Sequence, residues 1–220
     1  MMHNTIQNLI KIKSELKLNL KNFKVANLPK IIAVSKTFKI NKILPLIDYG
    51  HIDFGENKIQ EAVNKWTEIM SKNTNIKLHM IGKLQTNKVK YAVKLFDYIH
   101  SVDNERLAKK IADEQKKINK KLKIFIQVNI GNEEQKSGIN KSEVGDLVLY
   151  CKKINLDVIG LMCIPPVDKS SSTYFKEINL LNISFNFPEL SMGMSSDYIE
   201  ASKNLASYLR IGSSIFGKRV

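Results

Sequence analysis

Short apolar runs alternate with amphipathic stretches along this chain. Runs rich in aliphatic and aromatic residues occur at Ile31–Ser35, Ile52–Phe54, Lys77–Ile81, Tyr98–Val102, Leu122–Asn129, Leu156–Ile164, Glu189–Met192 and Tyr208–Ile211. Each has the length of a strand. Between them, Asn57 to Met70 sets Ile59, Val63, Trp66 and Ile69 on one helical face, and Leu107 to Ile118 repeats that period. A basic opening stretch, Met1 to about Asn22, spaces Ile6, Leu9, Ile10, Leu16 and Leu20 near a helical period. Eight strands separated by helices predict an α/β protein, a (β/α)8 TIM barrel with an additional N-terminal helix. No Pro/Gly/Ser-rich linker divides the chain, and Ser170-Ser171-Ser172 is too short to be one, so residues 1–220 read as a single barrel domain.

Composition narrows the setting. With 220 residues and 43% hydrophobic content, the chain can fill a barrel-sized core. Its two cysteines, Cys151 and Cys163, fit no metal-ligand spacing, so a reducing, cytoplasmic location without a metal is expected. No segment reaches 18 continuous apolar residues, which excludes a spanning helix, and the N-terminus lacks the apolar core of a signal peptide. A formal net charge of +14 raises the question of nucleic acid. Yet lysine doublets such as Lys109-Lys110, Lys116-Lys117 and Lys120-Lys121 lie on or beside an amphipathic helix, where a solvated face accounts for them, and no nucleic-acid signature accompanies them.

A barrel places its chemistry just after the strands, with phosphate held after the seventh and eighth. Lys36 follows the first strand, Glu56 and Asn57 follow the second, Asn129 ends the fifth, and Met162 lies near the end of the sixth. Ser195 is expected to begin the helix after the seventh strand. Arg210 and Gly212-Ser213-Ser214 close the eighth, where small residues expose backbone N–H groups to an anion. Lys36 has two readings: one more surface charge, or an amine at the mouth of a buried strand, its pKa lowered and ready to form an imine.

Ordered blocks carry a resemblance. They are Ala33-Val34-Ser35-Lys36-Thr37, Phe54-Gly55-Glu56-Asn57 with Gln60-Glu61, and the run from His79 to Lys88. Then follow Val128-Asn129 with Lys136-Ser137-Gly138, Gly160-Leu161-Met162, Leu190 to Ser195 with Asp197, and Arg210-Ile211-Gly212 with Phe216-Gly217. From about residue 30 onward the chain resembles the pyridoxal phosphate homeostasis protein family, single-domain relatives of the alanine racemase N-terminal barrel. The resemblance implies that Lys36 forms the internal aldimine with pyridoxal 5′-phosphate, and that Ser195, Gly212 and Ser213 bind the phosphate, with Ser214 beside them. It implies Arg210 at the pyridine nitrogen, where an arginine that keeps its proton leaves the ring a poor electron sink. Asn57 is implied as a polar contact to the ring and Met162 as apolar packing.

Other positions have structural readings. His79 reads as a hydrogen-bonded strand residue rather than an acid or base. Gln85 and Asn87 read as caps or loop ties, Glu61 as a cap or salt-bridge partner, and Lys136-Ser137-Gly138 as either a mobile loop or a plain turn. Pro165-Pro166 stiffens its loop. Leu205 stands where relatives commonly have Gly, and Ser202 occupies a usually aliphatic position. The resemblance implies a non-catalytic protein that stores, delivers or buffers the cofactor as a monomer, with apo-enzymes that use it as recipients and no membrane or nucleic-acid partner. Alanine racemase proper needs a second domain for its catalytic tyrosine, and residues 1–220, read as one barrel, are not expected to supply it. The competing readings are a small cofactor-dependent enzyme, such as a weak amino-acid racemase, and a basic nucleic-acid module.

Overall fold

The strand-forming runs pair in sequence order. In the computed structural model, which describes residues 2–21, 23, 27–166 and 170–218, β1 (Lys30–Val34), β2 (Asp53–Glu56), β3 (Lys77–Met80), β4 (Tyr98–Val102), β5 (Lys123–Val128), β6 (Val158–Cys163), β7 (Glu189–Ser191) and β8 (Tyr208–Ile211) form a closed parallel barrel. β8 returns to pair with β1, setting Ile32 opposite Arg210. Helices α1 (Asn4–Leu20), α2 (Ile40–Asp48), α3 (Ile59–Lys72), α4 (Val89–Leu95), α5 (Glu105–Lys117), α6 (Val144–Lys153), α7 (Ser171–Ser184), α8 (Tyr198–Lys203) and α9 (Ser213–Phe216) follow in chain order. The expected (β/α)8 barrel with an extra N-terminal helix is the observed fold.

Strands covered on both faces need apolar residues at nearly every position, which is why these runs do not alternate. In β5 only Lys123 is exposed. The helices show one buried stripe each: Ile59, Ala62 and Trp66 in α3, and Leu107, Ala108, Ile111 and Gln115 in α5. Asn104 caps α5 by accepting the Leu107 N–H at 2.9 Å. The α5 lysines form a solvated face, with Lys110 and Lys117 both paired to Glu114.

The last helix, α9, has four residues and is too short to cover its side of the barrel. Helix α1 supplies that cover. It buries Leu9, Ile12, Leu16 and Leu20, donates from Asn8 Nδ2 to the Ile215 carbonyl at 2.9 Å, and receives the Tyr198 hydroxyl on Glu15. Ile12 thus belongs to the buried face where the pattern placed Ile10. The expected ends of that helix, Met1 and Asn22, lie outside the described residues.

Some boundaries differ from those expected. β2 extends through Glu56, so Glu56 lies inside the strand. β6 begins at Val158, because Asn155 turns at φ 55° and the Leu156 N–H returns to the Cys151 carbonyl at 2.9 Å, closing α6. Ser195 does not begin a helix: Gly193 at φ 86° and a turn over 195–197 intervene, and α8 starts at Tyr198. The Asp197 carboxylate, accepting the Met194 N–H at 2.6 Å, holds that turn.

Candidate functional site

At the carboxyl ends of the strands lies a cavity of about 600 Å³. Lys36, Asn57, Ser195, Arg210, Gly212 and Ser213 all line it, although they come from four widely separated parts of the sequence. Met162 lies deeper. It is fully buried in the barrel interior, packed with Ile32, Phe125 and Tyr208. Ser214 stands behind the lining, its N–H 3.3 Å from Ser195 Oγ.

The backbone on both sides of Lys36 is held. Ser35 Oγ donates to buried Glu56 at 2.7 Å, and Lys65 Nζ donates to the Ser35 carbonyl at 2.9 Å. Lys65 also pairs with Glu56 at 3.0 Å and Glu61 at 2.9 Å, while Trp66 Nε1 donates to Glu56 at 2.9 Å. Thr37 adopts φ 67°, a region costly for a β-branched residue, with its N–H given to Glu61 at 2.5 Å. Burial alone would raise the Glu61 pKa, but the Lys65 ammonium and the Thr37 N–H bring it below the usual carboxylate range. Glu61 therefore acts as both salt-bridge partner and backbone acceptor.

Asn57 is fixed from behind by Gly82, where an added Cβ would sit 2.4 Å from the Asn57 carbonyl oxygen. The buried Asn57 Oδ1 has no hydrogen-bond partner among the described residues. On the other side of β1, the Gly212 and Ser214 N–H groups both point at Ser195 Oγ at 3.3 Å, so donors and a hydroxyl converge on one spot at the β8–α9 turn.

Arg210 forms part of the floor. It is 5% exposed, and two of its five N–H donors are engaged, Nη1 with Ser191 Oγ and Nη2 with the Cys163 carbonyl, both at 2.7 Å. Burial lowers its pKa, yet an arginine starts so high that it stays cationic at neutral pH. The Cys163 thiol beside it is pushed up to about 12 by burial and is inert as a nucleophile.

Further residues line the cavity without having been singled out as site residues. Gln127 reaches it from within β5 and stands outside the blocks that carry the resemblance, while Ile81, Lys83 and Met194 come from the loops after β3 and β7 and lie inside those blocks. The segment ending Lys136-Ser137-Gly138 is tied back onto β5, with Gln127 Nε2 bonded to the Ser137 carbonyl at 2.9 Å and Val128 bridged to Ile139. Lys136 itself lines the cavity and pairs with Glu133 at 2.6 Å. His79 is buried and hydrogen-bonded to Asp53 and His100. Gln85 precedes a short 3-10 turn but makes no side-chain cap bond.

Comparisons agree with this architecture. The family "Alanine racemase, N-terminal domain" matches residues 13–220. A pyridoxal phosphate homeostasis protein of Aquifex aeolicus is 35% identical over 203 residues, covering 88% of each chain. One of Haemophilus influenzae is 36% identical over 205 residues, covering 88% of this chain and 86% of the relative. Among solved structures, PipY of Synechococcus elongatus with PLP bound superposes with a TM-score of 0.85 at 28% identity, covering 97% of this chain and all of the other.

Proposed function

This chain belongs to the pyridoxal phosphate homeostasis protein family, and on that premise we propose that it binds pyridoxal 5′-phosphate at the carboxyl mouth of the barrel and maintains the supply of that cofactor without turning over a substrate. The observation that carries the reading is the convergence of Lys36, Arg210 and the Gly212-Ser213 turn on one cavity.

The donor set fits the group. The buried Asn57 Oδ1 lacks a partner among the described residues, a costly arrangement that a ligand donating to it would relieve. Lys36, Lys83 and Lys136 give the cavity positive charge to match a phosphate ester. Ser195 Oγ and the N–H groups of Gly212 and Ser213 would hold the phosphate, with the Ser214 N–H adjoining. The bound cofactor supplies an aldehyde, which condenses reversibly with an amine and releases water. Lys36 is the amine we assign to that bond, and the held backbone around it fixes where its side chain starts. Arg210 would donate to the pyridine nitrogen and keep its own proton, so the ring gains little power to stabilise a carbanion. Met162 would pack beneath the site rather than touch bulk solvent. Release to apo-enzymes follows from the reversibility of the bond.

Adding pyridoxal 5′-phosphate to purified protein tests this. A new absorbance band should develop, and borohydride should fix the cofactor on the peptide containing Lys36. A protein that takes up none, or one modified elsewhere with Lys36 untouched, overturns the reading. Exchange of amino-acid α-protons with solvent, lost in Lys36→Ala, would overturn its non-catalytic part.

A further inference from the structure

A line of short hydrogen bonds crosses the barrel interior from its amino-terminal end to the cavity floor. Asp53 Oδ1 lies 3.1 Å from His79 Nε2, and His79 Nδ1 lies 3.0 Å from His100 Nε2. His100 Nδ1 lies 2.9 Å from Ser191 Oγ, which accepts from Arg210 Nη1 at 2.7 Å. β4 and β7 are not neighbours in the barrel, so His100 and Ser191 meet only through its interior. Barrels are commonly filled with branched aliphatic layers; this one runs a line of polar groups beside its apolar cluster of Ile32, Phe125, Met162 and Tyr208.

With both imidazoles neutral, the proton positions have one solution. The Asp53 carboxylate only accepts, so His79 carries its proton on Nε2 and accepts at Nδ1. His100 must then donate from Nε2 and accept at Nδ1. Ser191 gives its hydroxyl proton to His100 and takes one from Arg210, which only donates. Every bond points the same way, from a cation to an anion. Stacking holds the rings in place, His79 on Tyr98 at 4.2 Å between centroids and His100 on Phe125 at 4.3 Å. His79, His100 and Ser191 are 0% exposed, and among the described residues no carboxylate pairs directly with Arg210. Burial holds both histidines below their ordinary pKa, which keeps them neutral.

We propose that Asp53, at the far end of the barrel from the cavity, is a positioning residue for Arg210, acting through His79, His100 and Ser191 as a single polarised hydrogen-bond chain. Aligned dipoles reinforce one another in a low-dielectric interior, so the carboxylate favours one orientation of every group up to the guanidinium. The consequence for ligand binding rests on the function proposed above, in which Arg210 meets the pyridine nitrogen.

Two measurements test it, one needing no cofactor. In ¹⁵N-labelled apo protein at neutral pH, His79 and His100 should both be Nε2–H tautomers, with the Arg210 side-chain N–H signals protected from exchange. Asp53→Ala should lose that tautomer preference and expose Arg210 to faster exchange, while Asp53→Asn, which keeps an acceptor oxygen, should retain most of both. Nδ1–H tautomers in the wild type, or an unchanged Arg210 signal in Asp53→Ala, overturn the proposal. In the second measurement, Asp53→Ala should bind pyridoxal 5′-phosphate about fivefold more weakly, the scale of one net hydrogen bond, with a displaced absorbance maximum that Asp53→Asn largely restores. A merely structural role would lower melting temperature and leave that maximum in place, which also overturns the proposal. A wild type that takes up no cofactor refutes the function instead, and the apo measurement still decides the chain.

Discussion

Glu61 accepts the backbone N–H of Thr37 at 2.5 Å, so the helix after the second strand grips the residue that follows Lys36. Thr37 stands at φ 67°, a conformation it would abandon without that bond. Glu61→Ala should cost about 1–2 kcal/mol of stability and weaken cofactor uptake. Glu61→Gln, which keeps an acceptor, should stay close to wild type on both counts. Urea unfolding and a cofactor titration read the two effects separately.

Lys65 joins three acceptors at once: the Ser35 carbonyl, Glu56 and Glu61. Its side chain is only 10% exposed and that of Glu56 is fully buried. Lys65→Met would strand a carboxylate in the interior, and breaking such a pair costs about 3 kcal/mol or more. Pairing the change with Glu56→Gln should recover part of the loss. Measured alongside Glu56→Gln alone, additive losses in the double variant would show that the two side chains are not coupled.

Leu205 adopts φ 66° and is 48% exposed. Its side chain gains little from burial, while the left-handed backbone costs a non-glycine residue about 1 kcal/mol or more. Leu205→Gly should therefore raise the melting temperature, despite the entropy glycine adds to the unfolded chain. A lower melting temperature would mean that the Leu205 contacts outweigh the backbone cost.

Three buried histidines govern the acid limb of stability. Burial draws His51 down from 6.5 to about 4 against the opposing pull of the Asp53 carboxylate. Burial also lowers His79, again against Asp53, and lowers His100, with His79 and Arg210 adding to the effect. The unfolded chain takes up these protons near pH 6.5 while the folded chain refuses them. Stability should thus fall as pH drops below 6.5, by about 1.4 kcal/mol per pH unit for each histidine involved. For His51 this window extends down to about pH 4. Above pH 6.5 these groups add no slope. Urea midpoints between pH 7.5 and 5 check this, and His51→Gln should flatten the dependence.

The barrel was legible because doubly covered strands leave an unmistakable apolar run, and β1 and β8 carry their chemistry at the ends of such runs. What stayed hidden depends on contacts across the lumen. Asp53, His100 and Ser191 look unremarkable in sequence, and only the closed barrel brings β2, β4 and β7 around a common interior. The depth of Met162 escaped for a related reason: position near a strand end does not say which layer a side chain occupies. Ser195 reads as a helix start in sequence because the turn made by Gly193 and Asp197 resembles one. Leu205 went the other way, since its departure from glycine already marked the position at which the backbone turns left-handed. Ser202 pays for burial by donating to the Tyr198 carbonyl at 2.6 Å, a local bond that no aliphatic pattern anticipates.

The pairing of β8 with β1 is the one joint of the barrel that no short connection spans; Lys30 and Tyr208 meet there across most of the chain's length. Lys36 stands just beyond one lip of this seam, and Gly212 and Ser213 just beyond the other. A ligand held covalently on one side and by its phosphate on the other would act as a rivet through the seam. Its binding energy would be lost whenever the barrel opened there, so loading should slow unfolding most where the chain has the least connectivity to prevent it. Amide exchange in β1 and β8, compared with and without ligand, would show the rivet as protection concentrated at the seam.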